Sequence, residues 1–309
     1  MNRTDTLFIV NPHSANGRAG KKWLAIETLA SSMLEGFAVR HTERVGHASA
    51  LAGAAVREGF RKIVCVGGDG TLNEIVNGLM EEDRPSPEGT CLGLIPFGTG
   101  CDFVRSFALP RDPQACLGIV EGSKTRPIDV GKASFLDHQG NASSRYFVNV
   151  TSFGLGGEVD ARVNRTTRLF GGFVSFLYST LASVLSYDKK CIRLVVDDQE
   201  AHEVIAWNVV VANGQYHGGG MWIAPQARLD DGTFDITVLG DFSLWEVFLH
   251  FPKLYTGRIT TLGKVNVFKA RSIRASSRQP VLLDVDGEQP GGLPVAITLI
   301  PKALRVLCP

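Results

Sequence analysis

After the strand-like run KIVCV the chain carries Val66-Gly67-Gly68-Asp69-Gly70-Thr71, and a helix-like stretch follows at once. Glycines there let the backbone turn sharply and approach a ligand without a Cβ, while the unpaired N–H groups of a helix start attract phosphate. Asp69 would then meet a metal or a nucleotide. As a bare motif, GGDG is equally a tight strand-to-helix turn in which Asp69 caps the helix. Two more loops break that tie: Pro96-Phe97-Gly98-Thr99-Gly100-Cys101-Asp102 follows CLGLIP, and Asn11-Pro12-His13-Ser14-Ala15-Asn16-Gly17 follows LFIV. Three such loops at the carboxyl ends of one parallel sheet lie where open α/β sheets bind ligands.

The elements that must position these loops follow from the hydrophobic pattern. LFIV (7–10), KIVCV (62–66) and CLGLIP (91–96) read as strands, residues 18–35 and 47–60 as helices, and Leu72, Ile75, Val76 and Leu79 give residues 71–80 a helical period. Strands linked by crossover helices make a mainly parallel sheet. After about residue 128 the strands come closer together, as RYFVNV, CIRLVVDD, EVIAWNVVVANG, GTFDITVLG, RSIRASS, PVLLDVDG and PVAITLIP. That half reads as a β-rich sandwich or barrel. The expected organisation is an α/β N-terminal domain over residues 1–128 and a β-rich C-terminal domain over 129–309.

A chain of 309 residues, 44% hydrophobic and 20% charged, has material for two cores, and its net charge of +1 exerts no global pull on nucleic acid. Six cysteines placed singly, with no CxxC pair, disfavour a zinc site or a disulfide framework and suit a reducing cytoplasm. The opening MNRTDTLFIVNP lacks the features of a signal peptide. Leu169 to Tyr187 is uncharged and about long enough to cross a bilayer, which needs roughly 20 apolar residues. Ser175, Ser179, Ser183 and Ser186 nevertheless mark one polar stripe, with Phe173, Phe176, Leu177, Leu181, Val184 and Leu185 on the other face. A core helix is one reading; a helix that also lines an acyl-chain cleft is the other.

The segments NPHSANG, GGDGTLNEIVNGL, IPFGTGCDF, RPIDVGK, NVTSFGLGGEV, ANGQYHGGGMWIAP, RLDDGTFDI and DVDGE occur in an order that resembles the diacylglycerol kinase catalytic domain superfamily. That superfamily includes sphingosine and ceramide kinases, and the likeness is greatest to its short bacterial members. The resemblance runs end to end. It implies an NAD kinase/diacylglycerol kinase-like fold, ATP and Mg²⁺ as cofactors, and an ATP site in the cleft between an α/β and a β-rich domain. The implied acceptor is a lipid hydroxyl at the membrane surface, diacylglycerol giving phosphatidic acid. Implied nucleotide contacts are Asn11, Ser14, Thr42 (in HTERVGHA), Gly67, Gly68, Asp69, Gly70, Thr71, Leu72, Asn73 and Thr99. Asp69, Asp102 and Asp129 would form an acidic network around catalytic Mg²⁺, and Glu288, in Asp286-Gly287-Glu288, would accept the proton.

The resemblance further implies a separate Mg²⁺ site from the Asp231 side chain and the Arg228 and Thr233 backbone oxygens, where the residues alone read as a DG hairpin turn. Two departures stand out. Ala15 and Asn16 occupy a stretch that is often glycine-rich or basic, with Arg18 and Lys21 nearby as basic groups, and Cys101 replaces the usual asparagine of GTGND. His13, His41, His47 and His217 have no paired metal-ligand spacing, and Gly218-Gly219-Gly220 suits close backbone packing or substrate approach. NAD kinases share GGDGT, although GTGCDF, GGGM and LDDG favour the lipid branch. A catalytically weak lipid- or nucleotide-sensing protein is the non-enzymatic alternative. Membrane contact is expected to be peripheral, through Arg165, Arg168, Phe170 and Phe173, and a homodimer is left open.

Overall fold

A computed structural model of the chain describes residues 4–80, 83, 89–98, 100–165 and 172–309, without the side chains of 164, 165 and 172–177. The chain divides into two compact units, Met1–Val130 with Ile300–Pro309, and Gly131–Leu299.

In the first unit β1 (Thr6–Val10), β2 (Ala38–His41), β3 (Lys62–Gly67) and β4 (Cys91–Pro96) pair in parallel in the order β4-β3-β1-β2. Their connections are α1 (Ser14–Met33), α2 (His47–Glu58) and α3 (Asp69–Leu79), followed by α4 (Asp102–Phe107) and α5 (Pro113–Gly122). Every residue of β1 is buried, which is why LFIV reads as a continuous apolar run rather than an alternation: helices cover both faces. Phe8, Val64 and Ile95 pack with Trp23 and Ile26 of α1 and Leu117 of α5. Their neighbours Leu7, Ile9 and Ile63, also fully buried, point to the opposite face, as the period of two requires. Near the chain's end Val306 pairs in parallel with Leu92, so the last residues return to this sheet.

The second unit begins within β5 (Thr125–Asp137) and continues through β6 (Ala142–Phe147), β7 (Val150–Gly154), α6 (Leu155–Arg165), α7 (Gly172–Ser186), β8 (Lys190–Val196), β9 (His202–Ala206), β10 (Asn208–Ala212), β11 (Tyr216–His217) and β12 (Met221–Trp222). It closes with β13 (Phe234–Leu239), α8 (Leu244–His250), β14 (Val265–Ala270), β15 (Ser272–Ser276), β16 (Leu282–Val285) and β17 (Glu288–Leu307). One antiparallel set runs β14-β13-β10-β7-β16-β17; β15 joins β17 to β8 and β9, and β5 joins it to β6. Phe147, Phe153, Phe234, Ile192, Ile273 and Val295 meet in one core, which makes this unit a β-sandwich. The architecture is therefore the expected α/β unit with a mainly parallel sheet plus a β-rich unit.

The serine stripe of α7 lies differently from its sequence reading. Ser179 and Ser183 are buried, and Arg162 of α6 donates to the Ser183 and Ser186 hydroxyls at 3.0 and 2.9 Å. Val184 is buried, but Leu181 and Leu185 are exposed, so the apolar side of this helix is only partly core. Arg162 of α6 meets the stripe at Ser183 and the exposed Ser186, while the Ser179 hydroxyl is buried without a hydrogen-bond partner. Among the described residues no helix is long and apolar enough to cross a membrane. Arg168 and Phe170, two of the expected membrane contacts, lie outside the described residues, as do the side chains of Arg165 and Phe173.

Candidate functional site

The three glycine-bearing loops of the first unit are tied to one another at the carboxyl ends of β1, β3 and β4. Asn11 Nδ2 donates to Thr71 Oγ1 at 2.9 Å, and Ser14 Oγ lies 3.5 Å from the same hydroxyl. The Phe97 amide donates to the Gly67 carbonyl at 2.7 Å. Gly68 sits at φ −97°, so it supplies room rather than a left-handed turn. A Cβ on Gly98 would come within 3.0 Å of the Gly68 Cα, and one on Gly68 within 3.2 Å of the Phe97 carbonyl oxygen. The two loops cross backbone against backbone, and a side chain at either glycine would push them apart by a few tenths of an ångström.

Asp69 opens α3 without capping it; its carboxylate accepts from the Asp102 and Phe103 amides, each at 3.3 Å. It thus binds the loop after β3 to the first turn of α4, where Asp102 is buried with the Arg105 guanidinium 3.7 Å away. Leu72 and Asn73 are buried in α3, and Gly70 lies in its first turn. Thr42 is buried just past β2, its amide on the Val10 carbonyl at 2.9 Å. Asp129 is fully buried and accepts the Lys302 amide at 2.7 Å, joining β5 to the returning end of β17. Thr99 lies outside the described residues. Ala15, Asn16 and Gly17 all adopt left-handed φ, at 52, 57 and 81°, so the segment after Ser14 is a curled loop before the regular helix. Cys101 is left-handed too, at φ 51°, with its thiol on the Gly98 carbonyl; burial first, then Asp69, pushes that thiol up to about 11.

In the second unit Glu288 follows a two-residue turn, Asp286-Gly287, whose φ values of 50 and 86° are those of a tight hairpin connection. Asp286 accepts three amides, from Val148, Asn149 and Val150, at 2.9 to 3.1 Å, and so holds the break between β6 and β7. Asp284, fully buried in β16, accepts from Ser152 Oγ at 2.9 Å and from the Gly287 amide at 2.8 Å, with His217 Nε2 at 3.5 Å. Across from it α6 presents Asp160. Burial is the main force raising the Asp160 carboxyl well above the usual range, reinforced by the charge and hydrogen bond of Asp284 and the charge of Glu288. The protonated form of Asp160 is favoured by these surroundings, and its Oδ2 is buried without a hydrogen-bond partner.

Asp160 and His217 stand at the edge of a cavity of about 120 Å³ whose walls are Val159, Val184, Trp207, Phe242, Val247 and Leu254. His217 reaches it from a hairpin closed by Gly218, Gly219 and Gly220, all three at positive φ. The sequence pattern points to Glu288 but to neither Asp160 nor Asp284, and it gives His217 no role; the signal for Asp284 lies in DVDGE itself.

The Arg228, Asp231 and Thr233 turn is held by protein groups. Asp231 Oδ1 accepts from the Thr233 amide and hydroxyl at 3.1 and 2.9 Å, and Oδ2 meets Lys269 Nζ at 2.7 Å. Partial burial acts to raise this carboxyl, but Lys269 and Thr233 outweigh it and hold it below its ordinary value. With an ammonium ion already on the carboxylate, this donor set does not fit a divalent cation unless Lys269 leaves. Among the described residues no group of three or more His, Cys, Asp or Glu side chains is arranged to hold a metal.

Comparison with known proteins bears on both units. Residues 5–133 match the diacylglycerol kinase catalytic domain, and residues 149–308 match the YegS C-terminal NAD kinase beta sandwich-like domain. The chain is 32% identical over 274 residues to a diacylglycerol kinase of Staphylococcus saprophyticus, covering 87% of this chain and 83% of that one. It is 31% identical over 263 residues to a diacylglycerol kinase of Mycobacterium tuberculosis, covering 84% and 80%. A crystal structure of a diacylglycerol kinase from Bacillus anthracis superposes with a TM-score of 0.72 at 22% identity over 100% of this chain and 98% of that one. An NAD kinase from Archaeoglobus fulgidus in complex with ATP gives 0.55 at 13% identity over 98% and 93%.

Proposed function

The chain belongs to the diacylglycerol kinase family and is a kinase enzyme, and from that premise we propose that it transfers the γ-phosphate of ATP to the hydroxyl of diacylglycerol, giving phosphatidic acid. The observation that carries the acceptor class is the apolar cavity beside Asp160. Its aliphatic and aromatic walls suit hydrocarbon, whereas the polar rings and phosphates of NAD would lose hydrogen bonds to water there without replacement. In this reading residues 1–128 bind the nucleotide and 129–309 the acceptor.

The amides from Gly67 to Asn73, with Asn11, Ser14, Thr42 and Thr99, would cradle the phosphates at the start of α3. Asp69, Asp102 and Asp129 are the oxygen donors that would hold Mg²⁺; in this structure they are not gathered as a cation cluster, Asp69 and Asp102 carrying contacts of 3.3 and 3.7 Å and Asp129 accepting the Lys302 amide. When bound, that ion would neutralise charge on the phosphates. Glu288 would take the proton of the attacking hydroxyl, and Asp160 would offer the lipid a hydrogen bond without presenting it a charge. The second cation site, at Asp231, would require displacement of Lys269. We place the reaction in the cytoplasm, with reversible membrane contact.

Purified protein given labelled ATP and Mg²⁺ with diacylglycerol, sphingosine, phosphatidylglycerol, undecaprenol and NAD in turn is expected to label diacylglycerol. Labelling of NAD with every lipid left unlabelled would overturn the proposal.

A further inference from the structure

Helix α8 is apolar on the side that faces water. Leu244, Trp245, Phe248 and Leu249 are exposed by 45, 75, 40 and 59%. At about 100° per residue these four occupy one continuous arc of about 140°. The remaining arc, Glu246, Val247 and His250, lines the apolar cavity, together with Phe251 and Leu254 of the following turn. The helix therefore meets the cavity through Val247, with Glu246 and His250 beside it, and turns its wholly apolar side to water. It is well defined locally: Ser243 caps it and Glu246 returns the bond in a complete capping box. A second helix on the cavity repeats the arrangement, since Thr180 and Val184 of α7 line it while Leu181 and Leu185 are exposed.

The charges around α8 are not balanced. Glu246 is paired with Lys264 at 2.7 Å, and Asp241 with Lys189. Lys253 and Arg258, on the turns Phe251–Tyr255 and Arg258–Thr261, have no carboxylate partner among the described residues. An exposed indole, a tyrosine at position 255 and two cations on the turns that directly follow the apolar arc match the headgroup layer of a bilayer, which is apolar below and anionic above. A second copy of the chain fits less well, because a stable dimer engages about 20–30 residues a side and this helix has seven.

We propose that the Leu244, Trp245, Phe248 and Leu249 face of α8 docks on the surface of an anionic phospholipid bilayer, setting the cavity behind the helix against the source of its lipid. The inference rests on the lipid-kinase reading for the identity of the ligand. Its primary readout, vesicle binding, does not need ATP.

Co-sedimentation with vesicles of phosphatidylcholine and phosphatidylglycerol is expected to be salt-sensitive and weaker on phosphatidylcholine alone, and to shift tryptophan emission to the blue. Trp245→Gln with Leu249→Gln is expected to weaken vesicle binding by about tenfold or more, while turnover of dispersed dioctanoylglycerol stays within about twofold. Lys253→Gln with Arg258→Gln is expected to abolish the preference for phosphatidylglycerol. Unchanged vesicle binding in the first variant would overturn the proposal. So would an equal loss of turnover on dispersed substrate, which would make the face structural, or a wild-type dimer that the substitutions convert to monomer without lipid. Vesicle binding that behaves as expected in a protein that phosphorylates no lipid would leave this surface standing and remove the proposed acceptor.

Discussion

At the scale of single residues, Glu288 and Asp69 carry opposite kinds of work. Glu288 is half-buried beside a rigid turn and acts electrostatically on Asp160, while Asp69 accepts two amides and so joins two loops. Replacing Glu288 by Gln removes a proton acceptor and leaves the turn intact. We expect kcat to fall by roughly 10²-fold or more while ATP affinity stays within a few-fold, measured by turnover and calorimetry. Asp69→Asn keeps one acceptor oxygen and turns the other into a donor facing an amide. It is expected to weaken Mg·ATP binding as well as turnover, and an ATP affinity equal to wild type would sink that assignment. The loops were legible because glycine, asparagine and aspartate carry their reasons in their own chemistry. Asp160 was not: nothing in GLGGEVDAR separates it from Glu158, and the choice is made by which side of α6 packs on β16. His217 and Asp284 likewise acquire meaning only from a contact between distant parts of the chain.

At the scale of elements, the left-handed stretch Ala15-Asn16-Gly17 precedes the regular part of α1, and Ala15 is its one residue unsuited to that conformation. A left-handed alanine costs roughly 1–2 kcal/mol, and glycine at the same place loses part of that gain to its freer unfolded chain. Ala15→Gly is therefore expected to stabilise the protein by up to about 1 kcal/mol in urea titrations; a destabilised variant would show that the Ala15 methyl contributes packing. Cys101 presents the same strain where asparagine, at ease in left-handed backbone, is usual in the resembling sequences. Long elements with their own periodicity were read correctly: α1, α2, α3 and the three buried parallel strands fall where the pattern puts them. Short β2, α4 and α8 escaped because four to seven residues are too few to show a period. The run EVIAWNVVVANG reads as one strand but is two, since β9 pairs with β8 while β10 pairs with β7 and β13. Trp207 stands at the change, held by the Leu239 carbonyl, and hydrophobicity alone cannot mark a strand that switches partners. Asp112, before Pro113, caps α5 by accepting the Ala115 amide at 2.9 Å.

At the scale of the whole molecule, α/β and β-rich character were legible from strand spacing, while the return of the last ten residues to the first unit was not, because parallel pairing of Val306 with Leu92 leaves no local mark. The surroundings of the carboxyl groups give a further consequence, in the dependence of stability on pH. Asp137, Asp231 and Glu246 have carboxyls held below their ordinary values, Glu246 at about 2 by Lys264 and Ser243. Their contributions are present above the unfolded carboxylate range and are lost as pH falls through the folded values. Asp160 has the opposite sign. Its raised carboxyl, facing Asp284 and Glu288, keeps in the folded state a proton that the unfolded chain releases. Its contribution is complete below the unfolded value and is lost as pH rises toward the folded one, at a slope of at most about 1.4 kcal/mol per pH unit for one proton. The wild type should therefore lose stability from pH 5 upward through the interval in which Asp160 titrates. Asp160→Asn cannot release that proton and should be flat across the same interval, although both proteins weaken in acid. Urea midpoints of the two proteins between pH 3 and 8 decide the matter: parallel curves above pH 5 would mean that Asp160 ionises normally and that the site presents the lipid with a charge.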